Sequence, residues 1–260
     1  MTDLTILVPS RGRPHTVREM AEAFVKTCTA DTTLAFVVDF DDPRLGDYIA
    51  EAHNVWDSED SALAAVGLEF FYHYPDRDGR GMVAALNTAA RNLCINWVGT
   101  GECTDPECPE PPHEAPFAIG FMGDDHRPRT LAWDEQYINT LACTGALFVY
   151  GDDLLQGANF PTQVAMRSDV VKTLGYMAPP EFEHLCIDLV WRDWGERIGR
   201  LKYLDDVVVE HMHPAAGKAE LDAGYERVNS VEVTTKDAER YYVWFQAELP
   251  GELEKLDKIP

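Results

Sequence analysis

The segment LTILVPSRGRP, Leu4 to Pro14, opens the order of elements on which the fold rests. Leu4 to Val8 is a short apolar run closed by Pro9, the pattern of a buried strand. Pro14 suits a first helical position. Beyond it Val17, Met20, Ala21, Phe24, Val25 and Cys28 recur at the i, i+3, i+4, i+7, i+8 spacing of one apolar helix face. Leu34 to Val38 (LAFVV) is a second apolar run, ending in the acidic turn Asp39-Phe40-Asp41-Asp42-Pro43. Strand, helix and strand in this order imply a parallel pair.

The pattern continues along the chain. Leu68 to Tyr72 predicts a third strand, followed by the glycine-punctuated DRDGRG and a helix whose Val83, Leu86, Ala90, Leu93, Cys94 and Trp97 share a face. Phe117 to Met122 predicts a fourth strand that runs into FMGDDHRP, and Gly145 to Tyr150 predicts a further one. Between residues 99 and 116 lies GTGECTDPECPEPPHEAP, a surface insertion by its proline, glycine and acid content. Ala238, Tyr241, Tyr242, Phe245 and Leu249 form an amphipathic helix, a terminal brace stopped by Pro250. The whole reads as an α/β fold with a mainly parallel central sheet flanked by helices.

Sheets of this kind bind ligands beyond the carboxyl ends of their strands. Polar clusters follow four of the strands: Arg11 and Arg13, then Asp39 to Asp42, then Asp78 to Gly81, then Asp124 to Arg127. One such cluster is an ordinary solvated turn. Four on one edge indicate a site. The paired carboxylates of Asp124 and Asp125 repel in a chain with 45 acidic and 22 basic residues, unless a cation or solvent relieves them. His211 and His213 follow an apolar strand and point to one side by its period of two, as ligands or as a packed pair.

The net charge of −23 disfavours broad contact with nucleic acid or an anionic membrane, which needs Lys and Arg to displace counterions. No apolar run approaches the ~20 residues of a membrane span, and the first residues carry no signal-like segment. A soluble, cytoplasmic protein is expected. The six cysteines read as reduced thiols. Cys103, Cys108 and His113 have a spacing that matches no common zinc site, so a metal-free insertion is expected there.

In their order, LTILVPSRGRP, FVVDFDDP, DGRGMVAALNTAARN, FMGDDHRP and IDLVWRDWGERIGRLKYLDDVVVEHMHP resemble the glycosyltransferases of the GT-A fold, particularly family 2-like enzymes and their phage or actinobacterial relatives. The resemblance runs from about Leu4 to Pro214. It implies a catalytic domain over residues 1–235, with a nucleotide-binding half (1–130) and an acceptor-side half (131–235), and a C-terminal helix and tail over 236–260. It implies a nucleotide-sugar donor, a UDP- or GDP-sugar, and Mn2+ or Mg2+ on its diphosphate. For a phage protein the cytoplasm would be the host's.

The family's Asp-x-Asp motif falls on Asp124-Asp125-His126, with His126 in place of the last Asp. The resemblance implies Asp125 as the metal ligand, Asp124 on ribose or a metal-bound water, and His211 or His213 completing the metal site. It implies Asp39 as the acceptor of a nucleobase N–H, with Pro9, Ser10, Arg11 and Arg13 lining the same pocket and Arg80 on the diphosphate. Leu185-Cys186 stand where the family carries a Glu-Asp pair, which leaves Asp188 as the carboxylate for a base that deprotonates the acceptor in an inverting transfer. Two other readings use the same residues: a sugar-nucleotide nucleotidyltransferase, and a noncatalytic protein that binds a nucleotide sugar. Protein, glycan, small metabolite and modified DNA base all stand open as the acceptor.

Overall fold

A computed structural model describes residues 3–96, 114–219, 221–228 and 230–260. Cys103, Cys108 and His113, with Trp97, lie outside them. Among the described residues eight strands build one sheet: β1 (Leu4–Ser10), β2 (Thr32–Asp39), β3 (Gly67–His73), β4 (Ala118–Phe121), β5 (His126–Pro128), β6 (Phe148–Asp152), β7 (Val164–Arg167) and β8 (Leu201–His211). Their order is β3-β2-β1-β4-β7-β6-β8-β5. β3, β2, β1 and β4 run parallel, as do β6 and β8, while β7 is antiparallel to both its neighbours and β5 is antiparallel to β8. The ends of β1, β2, β3 and β4 therefore open on one edge.

Period-two alternation splits the sheet into two buried faces. Leu4, Ile6, Val8, Leu34, Phe36 and Val38 face one side with Val17, Met20 and Phe24 of helix α1 (His15–Thr27), Tyr48 and Val55 of α2 (Leu45–Trp56), and Trp133 and Tyr137 further along the chain. Leu7, Ala35 and Val37 face the other, against Val83 and Leu86 of α3 (Met82–Arg91). Of the later long helices, α4 (Trp133–Cys143) belongs to the first face, whereas α5 (Ser168–Leu174), α6 (Ile187–Arg197), α7 (Val231–Ala247) and α8 (Leu249–Leu256) contribute to the second. Burial on both faces is why the parallel strands read as unbroken apolar runs.

Two boundaries differ from the sequence expectation. Pro9 does not end β1, which continues to Ser10. The Leu7 carbonyl accepts the Met122 N–H at 3.1 Å, so Pro9, two residues on, faces the same side, where pairing with β4 has already stopped at Leu7. Its missing N–H costs no ladder bond there. Pro250 does not simply stop a helix. It sits in the first turn of α8, where its lack of an N–H is harmless, and α7 begins at Val231 behind the Ser230 cap. Glu252 of α8 is buried and accepts the indole N–H of Trp194 at 2.7 Å and of Trp244 at 3.0 Å, which ties the C-terminal pair of helices to α6. Among the described residues no helix is long and apolar enough to cross a membrane.

Candidate active site

The strand ends line a cleft of about 740 Å³, within the size range of small-ligand sites. Pro9, Ser10, Arg11, Arg13, Asp39, Arg80, Asp124, Asp125, Asp188, His211 and His213 all border it. They come from both halves of the sequence.

At one end Asp39 accepts the Arg11 guanidinium at 2.7 Å and pairs with His73 Nδ1 at 2.7 Å. Burial alone would raise its pKa, but His73 and Arg11 outweigh this and hold the carboxyl below its usual range. Asp39 therefore stays an anionic acceptor. Arg11 also reaches Asp41 at 2.5 Å. The Ser10 hydroxyl sits between the Tyr48 hydroxyl and Asp124, 2.6 Å from each, and Tyr48 accepts the Arg13 N–H at 2.8 Å. Arg13 bridges Asp124 at 3.0 Å and Asp222 at 2.7 Å and lies 4.2 Å from the Tyr225 ring centre. Arg80 stands at the mouth, exposed and paired with Asp76.

At the centre the register of β5 on β8 sets His126 directly opposite His211. Their rings stack 4.2 Å apart, and His211 Nε2 is 3.2 Å from Asp125 Oδ2. Donor atoms of Asp125, His126 and His211 all lie within 4.8 Å of one another. Gly123 makes room for them, since a Cβ there would fall 2.6 Å from Asp125 Oδ1 and 3.0 Å from His126 Nδ1. Tyr225 also donates to Asp125 Oδ2. His213 stands beside the cluster, its ring edge-on to His211 at 4.9 Å and to Tyr225 at 5.3 Å.

Charge is distributed unevenly in this cluster. Burial opposes ionisation of Asp125, yet His126 and His211 hold its carboxyl well below the ordinary range. Burial, then the charge on His211, keeps His126 below its ordinary pKa and neutral. Burial also opposes protonation of His211, but Asp125 and Asp153 pull it up to about 9. Asp153, at the end of β6, is buried, and its Oδ2 lies 3.8 Å from His211 Nδ1, a ring nitrogen that is itself buried without a hydrogen bond. Thr162 and the N–H groups of Leu155, Gln156 and Gly157 hold that carboxylate in place.

From the second half of the chain Asp188 reaches the cleft; it occupies the first turn of α6 and accepts the Leu189 N–H at 2.9 Å. Burial pushes its carboxyl above the usual range, against the backbone N–H groups and the longer-range charge of Arg192. It forms no ion pair with Arg192 among the described residues. Trp191 and Trp194 are fully buried and donate their indole N–H groups to Met177 and Glu252, so both serve packing.

Sequence reasoning left out Tyr48, Asp153, Thr162 and Tyr225, and it treated His126 only as a replaced acid. For His126 a signal existed, an imidazole beside the carboxylate pair, but its opposition to His211 depends on a three-residue strand. Asp153 follows an apolar run in GDDLL, the same strand-end pattern that singled out Asp124. No local pattern marks Tyr225.

No protein-family profile matches the sequence, and no curated protein does. Among solved structures, the mannosyltransferase PcManGT from Pyrobaculum calidifontis, in complex with GDP-Man and Mn2+, aligns at a TM-score of 0.57 and 13% identity over 97% of this chain and 72% of that one. Glucosyl-3-phosphoglycerate synthase from Mycobacterium tuberculosis, in complex with Mn2+, UDP and phosphoglyceric acid, aligns at 0.56 and 10% over 92% and 78%. S. aureus TarS in complex with UDP-GlcNAc aligns at 0.53 and 11% over 96% and 77%. At such identities the likeness is one of architecture: the chain has the GT-A fold of these glycosyltransferases.

Proposed function

We propose that the protein is a metal-dependent glycosyltransferase that moves a sugar from a UDP- or GDP-sugar to an acceptor hydroxyl with inversion. The observation that carries this is the convergence of Asp125, His126 and His211 at the centre of one cleft, between Asp39 on the nucleotide side and Asp188 on the other. The solved structures with this fold hold GDP-Man, UDP or UDP-GlcNAc, and two of them Mn2+, in keeping with that reading.

The donor set fits a divalent ion. One carboxylate and two imidazoles suit Mn2+ better than the harder Mg2+, and Asp153 is placed to orient the His211 ring from behind. A bound ion would neutralise the charge that develops on the leaving diphosphate. Asp39 accepts a ring N–H of uracil or guanine. Ser10 and Pro9 shape the wall of that pocket, with Arg11 at its rim, while Arg13 and Arg80 supply cationic hydrogen bonds to phosphate. Asp124, tethered by Ser10 and Arg13, faces the ribose. Asp188 takes the proton of the acceptor hydroxyl as the new bond to the sugar forms and the bond to the diphosphate breaks. A cytoplasmic setting fits the chain's free thiols at Cys28, Cys94, Cys143 and Cys186.

A panel of nucleotide sugars with Mn2+, followed by nucleotide release, tests the reading. Release from a UDP- or GDP-sugar supports it, and binding without release would leave a noncatalytic nucleotide-binding protein.

Occupation of the centre should also depend on pH. In the metal-free fold protonated His211 is stabilising, fully so below its ordinary pKa and progressively less as pH rises toward about 9. An ion must displace that proton. Apparent Mn2+ affinity is therefore expected to weaken by up to ~10-fold for each pH unit lost below that value, with about one proton released per ion at neutral pH. Calorimetry in two buffers of different ionisation enthalpy counts the proton, and release of none would remove His211 from the ligand set.

A further inference from the structure

The backbone from Glu183 to Cys186 is irregular, leads into α6, and borders the cleft together with Asp188. Three of its amide groups point at one side chain. Asp237, on α7 and fully buried, accepts the N–H of Glu183 at 3.1 Å, of His184 at 2.9 Å and of Leu185 at 2.7 Å, and pairs with Arg240 at 2.8 Å. The other side of the loop is held as well. The Glu183 carbonyl accepts the Val83 N–H at 3.2 Å, and Gly81, at φ +97°, leaves the space in which a Cβ would come within 2.8 Å of that oxygen. Cys186 then takes a left-handed φ of 66°, a conformation a non-glycine residue keeps only where its surroundings impose it.

A buried carboxylate is costly unless its lone pairs are filled. What an apolar residue could not do is gather three consecutive amides immediately before the first turn of α6. We propose that Asp237 is a positioning residue for transfer: through the Glu183–Leu185 backbone it sets where α6 begins and so where Asp188 meets the acceptor. This rests on the reading of Asp188 as the base. It gives α7, which follows all the strands in the chain, a part in the chemistry through α6.

The test compares wild type with Asp237→Asn and Asp237→Glu, using the nucleotide sugar that wild type turns over. Replacing the carboxylate by an amide leaves an NH2 group facing backbone N–H donors. Asp237→Asn is therefore expected to lower kcat by ~10-fold or more, with KM for the nucleotide sugar within about twofold of wild type and the acid limb of the kcat profile moved. Asp237→Glu, which keeps the charge, is expected to lose less, and equal losses in both variants would overturn the acceptor role. Hydrogen exchange on wild type keeps the proposal testable if a variant fails to fold. The Glu183, His184 and Leu185 amides should be protected about as well as those inside α7, and exchange at the rate of open loops overturns the proposal. A wild-type protein that releases no nucleotide from any donor defeats the transferase reading and this inference with it. Turnover in wild type beside an Asp237→Asn variant of equal kcat defeats the inference alone.

Discussion

Asp188→Asn is expected to reduce sugar transfer by ~10²-fold or more, a barrier increase of at least ~2.7 kcal/mol, while nucleotide-sugar affinity changes little. The amide has nearly the shape of the carboxylate and can still accept the Leu189 N–H, but it cannot take a proton. Burial raises the Asp188 pKa, which makes the ionised form a stronger base and also makes it costly to the fold near neutral pH. The sign of the stability effect follows. A carboxyl whose folded pKa is raised becomes less destabilising as pH falls through that pKa, so removing its charge at neutral pH should hold or increase the melting temperature. Wild-type transfer should fail on the acid side, where Asp188 takes up its proton, at a pH above the ordinary carboxylate range. Kinetics and thermal melting on the same preparation decide the matter. A lower melting temperature with turnover intact would make Asp188 a structural residue of the first turn of α6, where it accepts the Leu189 N–H, and would favour a retaining mechanism.

Asp125→Ala is expected to remove most of the metal dependence of nucleotide binding and to weaken Mn2+ binding by at least ~100-fold. Groups that merely orient a metal ligand cost 10–100-fold when lost, and Asp125 contributes the sole carboxylate of the cluster. The substitution also leaves His211 without one of the two acids that raise its pKa and removes the hydrogen bond from the Tyr225 hydroxyl to Asp125. Part of the effect is therefore on the arrangement of the centre, and a His211→Ala variant is the appropriate partner measurement. Both should lose the same metal-dependent component. Nucleotide affinity in chelator should stay near wild type in both, because Asp39 and Arg11 stand apart from the metal cluster. An Asp125→Ala protein with full Mn2+ affinity would show that the ion, if any, binds elsewhere.

The parallel half of the sheet was legible because β1, β2 and β4 are buried on both faces, which makes each a continuous apolar run that ends at a polar turn. β5 and β7 were not, since three- and four-residue antiparallel strands carry too few side chains for a period to register. That loss had a consequence at the site. Without β5 there is no register between His126 and His211, so the sequence kept His213 beside His211 as a candidate ligand, and the strand period that paired them ends at His211. The end of the cleft around Asp39 fared better, because Ser10, Arg11, Arg13 and Asp39 immediately follow or close legible strands. Asp237 was invisible for a different reason. An acid on an amphipathic helix looks like part of a solvated face until the fold shows it fully buried against three amides.

Calorimetric titration of UDP and GDP into the protein, first in Mn2+ and then in chelator, bears most directly on a metal-bridged nucleotide site. At least ~10-fold tighter binding of one nucleotide in Mn2+, lost in chelator and lost again in Asp125→Ala, is the expected result. Equal affinity in Mn2+ and in chelator for both nucleotides would contradict it.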